Sequence, residues 1–96
     1  MAIAARVLVV DDNQGIRDLV CEVLSWAGHE VAAAADGRAA LEVVSRWRPD
    51  VILLDWMMPG IDGWEFAQRY HSQPEPHAPI IALTAAQDGP ARAAAM

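Results

Sequence analysis

Three short apolar runs, each closed by oxygen-bearing side chains, constrain this chain more than any other feature. Val51-Ile-Leu-Leu-Asp55 is four apolar residues, two of them β-branched, followed by a carboxylate. It reads as a strand buried on both faces, and Pro59-Gly60 then turns the chain. Arg6-Val-Leu-Val-Val10 runs in the same way into Asp11 and Asp12, and Pro79-Ile-Ile-Ala-Leu runs into Thr84. Ligands of open parallel sheets sit outside the carboxyl ends of the strands, so these three ends point to one shared site. Taken alone, Asp55 also reads as an Asp that simply begins a turn.

The segments between these runs have helical periodicity. Ile16, Leu19, Val20, Val23, Leu24 and Ala27 fall on one stripe, with Asp12 or Asn13 as the starting cap and Gly28 as the stop. Glu30 to Ala34 is a short second strand of weak β-propensity. Asp36 caps a second helix whose inner face is Ala40, Leu41, Val44 and Trp47, and Pro49 stops it. Asp62 followed by Glu65 is close to a capping box for a third helix carrying Trp64, Phe66 and Tyr70. Pro74 and Pro76 stiffen the next loop, and Asp88 to Met96 starts a fourth helix. Strands alternating with helices at this spacing predict an α/β fold, a doubly wound parallel sheet with right-handed crossovers.

The 96 residues suffice for one small domain, residues 1–96. Thirteen acidic residues against seven arginines, with no lysine, give a net charge of −6. That balance argues against a nucleic-acid surface, since phosphate binding needs a basic face. The single cysteine, Cys21, excludes an internal disulfide and fits a reducing cytosol. No leader pattern and no membrane-length apolar run stand out, so the expected location is cytoplasmic. His29, His71 and His77 have no metal-ligand spacing and read as solvated. Trp26 and Trp47 read as helix packing, Cys21 as a structural thiol, and Arg46 with Arg48 as a solvated helix end.

The ordered set Val-Leu-Val-Val-Asp11-Asp12-Asn, Ala35-Asp-Gly37-Arg-Ala-Ala-Leu41, Pro49-Asp-Val-Ile-Leu-Leu-Asp55-Trp-Met-Met-Pro59-Gly-Ile-Asp62-Gly63 and Pro79-Ile-Ile-Ala-Leu-Thr84-Ala85 resembles the receiver domain of bacterial two-component response regulators. The resemblance runs from about Arg6 to the last residue. It implies a flavodoxin-like sheet of order 2-1-3-4-5. It also implies a Mg²⁺-dependent phosphoryl acceptor served by a sensor histidine kinase or phosphotransfer protein, one that modifies and resets itself rather than turning over a separate substrate. On that resemblance Asp55 is the phosphoacceptor and Thr84 hydrogen-bonds a phosphoryl oxygen. Asp12 and Asp55 ligate the metal directly, Asp11 through water, and Met57 through its backbone carbonyl. Ala85 leaves room for the phosphoryl group, and Met57 and Ala86 line the entrance. The electrostatics agree: carboxylates ~4 Å apart cost about 4 kcal/mol per pair at an effective dielectric of 20, so such a site must bind a divalent cation or protonate.

The chain departs from the pattern at its end. Receivers carry a lysine at the end of strand 5, and no residue here can take that role or that of the strand 5 aromatic. The fold is therefore expected to be truncated after the start of helix 4. If ~500 Å² of apolar surface on helix 1 and strand 4 stayed open, about 12 kcal/mol of burial would be forgone. That is as large as a domain's whole stability, so self-association is expected. Two other functions stand beside the phosphoacceptor. One is a phosphorylation-independent interaction module, favoured by the absent lysine and disfavoured by the intact acidic triad. The other is a phosphatase with an aspartyl nucleophile, which usually has a second acid two residues on, where this chain has Met57.

Overall fold

The computed structural model describes residues 4–56, 58, 60 and 62–83. Seven elements alternate along them: β1 Arg6–Val10, α1 Gln14–Trp26, β2 Glu30–Ala34, α2 Gly37–Arg46, β3 Val51–Asp55, α3 Gly63–His71 and β4 Ile80–Leu83. The strands form one parallel sheet in the order β2-β1-β3-β4. This is the doubly wound, flavodoxin-like arrangement through its fourth strand. The expected fourth helix lies outside the described residues.

The crossovers decide which helix covers which face. The step from β1 to β2 runs opposite to the steps from β2 to β3 and from β3 to β4. Right-handed connections therefore put α1 on one face and α2 with α3 on the other. The core lies on the α2 and α3 side, where Leu8, Val10, Ile52 and Leu54 meet Ala40, Phe66 and Tyr70. Phe66 is fully buried, and its ring stacks on Tyr70 with centroids 5.8 Å apart. The Tyr70 hydroxyl accepts from the Ala78 amide at 2.7 Å, which ties α3 to the chain entering β4.

The α1 face is far less sealed. Burial on both faces holds for β1, whose Val7 to Val10 are all buried, but not for β3. There Ile52 and Leu54 are buried while Val51 and Leu53 are only partly covered, because α1 packs on β2 and β1. Helix α1 itself buries no residue fully. Its sheet-facing side is Arg17, Val20, Cys21 and Leu24, each half-buried. Ile16, Leu19, Val23 and Trp26 are exposed, as is Ile81 on β4. The single predicted stripe thus splits into a covered half and an open half, and Trp26, 80% exposed, is not packed as expected.

The caps follow the sequence with three refinements. Asn13, not Asp12, caps α1, its side chain accepting from the Ile16 amide. Beyond Ala27 the helix closes in a Schellman motif: Gly28 (φ 94°) donates to the Ser25 carbonyl and His29 to that of Leu24. Asp36 caps α2 as expected, but the helix ends at Arg46, ahead of Pro49. Trp47 is already extended there, with the Arg6 guanidinium 5.5 Å above its ring. Asp62 caps α3, yet Glu65 does not complete the box, because its carboxylate pairs with Arg69 one turn on at 2.6 Å.

Candidate functional site

Strand register builds the site. Val10 of β1 lies beside Leu54 of β3, so the next residue on each strand, Asp11 and Asp55, emerges at the same level. This is also where the winding of the sheet reverses, the usual ligand crevice of such folds. Asp12 follows on the loop into α1. Among the described residues, Asp11, Asp12 and Asp55 are a group of three that each offer one carboxylate oxygen, and these three atoms lie within 4.8 Å of one another. Asp11 is buried, Asp55 half-buried and Asp12 exposed. The donors are all hard oxygens, a set that can hold a divalent cation.

Local hydrogen bonds hold Asp11. The Asp11 amide donates to the Ala34 carbonyl (3.2 Å), continuing the β1–β2 ladder past its last pair. Asp11 Oδ1 accepts from the Asn13 amide at 2.8 Å, and the Arg17 side chain donates through Nη1 to the Asp11 carbonyl at 2.8 Å. With Asn13 serving as the cap, Asp12 is left for the cluster. Composition singled out neither Asn13's double role nor Arg17; the available signal was an arginine one turn inside the helix that opens at the acids.

Beyond Asp55, Trp56 donates its amide to the Leu83 carbonyl and meets Trp64 edge-on, centroids 5.9 Å apart. The Gly63 amide donates to the Trp56 carbonyl, tying the start of α3 to the residue after the strand end. A Cβ at Gly63 would lie 2.9 Å from Trp56 Cα and 3.0 Å from the Asp55 carbonyl oxygen. Both are backbone atoms, so glycine is needed here for space. Gly63→Ala should cost ~1–3 kcal/mol in urea unfolding and disturb Trp56 emission. A variant with parental stability would show that the loop yields freely.

Met57 and Thr84, like Ala85 and Ala86, lie outside the described residues. His71 is exposed as expected, whereas His29 and His77 are more engaged. His29 Nδ1 accepts from the Ala5 amide, and His77 Nε2 is 2.7 Å from the Gln73 carbonyl. His77 also contacts the rings of Tyr70 and His71, at the end of the sheet away from the acids. Burial, with Asp18 beside it, pushes the Cys21 thiol above its ordinary pKa against a smaller opposing effect of Arg17, which disfavours the thiolate.

Residues 7–96 match the family described as the response regulator receiver domain. The chain belongs to that family. Receiver-containing relatives include the response regulator MprA of Mycolicibacterium vanbaalenii, 42% identical over 80 residues, which are 83% of this chain and 34% of MprA. The sporulation initiation phosphotransferase F of Bacillus subtilis is 45% identical over 64 residues, 67% of this chain and 52% of that protein. The chain thus spans about a third to a half of the length of these relatives. Among solved receivers, the chemotaxis response regulator CheY4 of Vibrio cholerae superposes with a TM-score of 0.79 at 38% identity, covering 91% of this chain and 76% of that one. Receiver identity makes this a domain of the two-component signalling family. Among the described residues no helix is long and apolar enough to cross a membrane.

Proposed function

We propose that this receiver is a Mg²⁺-dependent phosphoryl acceptor in which Asp55 takes a phosphoryl group from a phosphohistidine on a sensor histidine kinase or phosphotransfer protein. The observation that carries this reading is the meeting of the Asp11, Asp12 and Asp55 carboxylates at the adjoining ends of β1 and β3. One relative is itself named a phosphotransferase, which agrees with it.

The donor set fits the ion, being three carboxylates with no thiolate or imidazole among them. Asp11, Asp12 and Asp55, with the backbone carbonyl of Met57, would hold it. A Mg²⁺ ion held there would supply charge neutralisation for the transferring oxygens. A carboxylate oxygen of Asp55 forms the new O–P bond as the donor's N–P bond breaks, and the electron pair returns to the imidazole nitrogen. The Thr84 hydroxyl would hydrogen-bond a phosphoryl oxygen. Water then cleaves the acyl phosphate, releasing inorganic phosphate and restoring the Asp55 carboxylate.

The cation site is tested without any donor. Mg²⁺ titration should give a saturable change in Trp56 emission, with Trp56→Phe as control against the other three tryptophans. Asp12→Ala should weaken binding about 10-fold or more. Equal responses from parent and variant would remove the acidic cluster from the mechanism.

A further inference from the structure

The acidic cluster needs more than its own carboxylates, because Asp12 lies beyond the last ladder pair of β1 and is itself exposed. What fixes its backbone is the peptide joining it to Asp11. The carbonyl of that peptide accepts from Arg17 Nη1 at 2.8 Å, six residues along the chain. The arginine is anchored in turn. Its amide donates to the Asn13 carbonyl, its position lies on the sheet-facing side of α1, and it is half-buried with Val20, Cys21 and Leu24. With Asn13 also donating to Asp11 Oδ1, residues 11, 13 and 17 form a closed loop of hydrogen bonds.

We propose that Arg17 is a positioning residue for the acidic cluster: its guanidinium clamps the Asp11 carbonyl and so sets the peptide that carries Asp12 toward Asp55. Its consequence for Mg²⁺ rests on the cation site proposed above.

Charge and geometry make opposite predictions, which is what makes the proposal testable. A guanidinium beside a cation site repels the cation, so removing its charge alone should tighten Mg²⁺ binding. Removing a clamp should weaken it. Arg17→Met keeps an unbranched stem and loses every donor. Arg17→Lys keeps the charge and an ammonium donor but loses the planar fork. Measured by calorimetry well below the melting temperature, Arg17→Met should raise the Kd for Mg²⁺ about 3- to 10-fold, and Arg17→Lys should fall between it and the parent.

Amide hydrogen exchange of the metal-free protein is the second readout. The amides of Asp11 and Asn13, bonded to the Ala34 carbonyl and to Asp11 Oδ1, should exchange severalfold faster in Arg17→Met, with those of β3 unchanged. Unchanged or tighter Mg²⁺ binding with parental exchange at these amides would overturn the clamp. So would a lowered melting temperature with neither readout moved, since that is what a merely structural residue would give. Should Arg17→Met fail to fold, Arg17→Lys decides alone, and parental Kd and exchange in it would overturn the proposal. A parent that gives no Mg²⁺ response would sink the cation site, while the exchange data would still judge Arg17.

Discussion

Asp55→Asn should abolish phosphoryl labelling. With acetyl phosphate and Mg²⁺, the parent should gain one phosphoryl group, labile to base, and intact mass should show it on every labelled molecule. The amide that replaces the carboxylate lacks the anionic oxygen that attacks phosphorus, so the expected effect is loss of signal rather than a slower rate. Asp55 is the last residue of β3 and its side chain is only half-buried, so the substitution should leave the fold intact. Labelling of Asp55→Asn as readily as the parent would show that the acceptor is elsewhere. If neither protein is labelled although Mg²⁺ binds, the interaction-module reading takes precedence over the phosphoacceptor.

The largest stability effect should come from Phe66→Ala. Phe66 is fully buried among Leu8, Ile52, Leu54 and Tyr70, at the point where α3 closes on the sheet. Truncation should cost ~3–5 kcal/mol, against a total of ~5–15 kcal/mol for a domain. Leu19→Ala is the control, since Leu19 is 61% exposed on α1 and its loss should cost about 0.5 kcal/mol or less. Urea unfolding of both variants checks the pair. Similar costs at the two positions would mean that the stabilising core is not confined to the α2 and α3 face.

The four strands were legible because short apolar runs bounded by Asp, Gly and Pro have few other readings. Their boundaries agree with the structure, and register then accounts for why two sequence-distant acids arrive together. Helix 1 was legible only in part. Its apolar positions span a wider arc than the sheet covers, and periodicity reports the arc rather than the part that finds a partner. Val20 and Leu24 face the sheet with Arg17 and Cys21, whereas Ile16, Leu19, Val23 and Trp26 do not. Competition between side chains hid other details. Asp12 and Asn13 can each cap a helix, and only the fold shows that Asn13 does so. Glu65 can serve a capping box or an ion pair, and it takes the pair. Arg17 gave no sign of its role because its partner is a backbone carbonyl, which no side-chain motif encodes.

The acidic loop joins two elements of very unequal burial. On one side is β1, the most thoroughly buried strand; on the other is α1, which buries no residue fully. Local opening should therefore begin in α1, and the hydrogen bonds from Asn13 and Arg17 to Asp11 make the cluster and the first turn of that helix one cooperative unit. Anything that binds the closed cluster better than the opened one must stabilise the helix by the same free energy, and anything that seizes the helix must sharpen the cluster's affinity. The outer surface of α1 and the carboxylates at its root are thus thermodynamically linked, with no domain movement required between them.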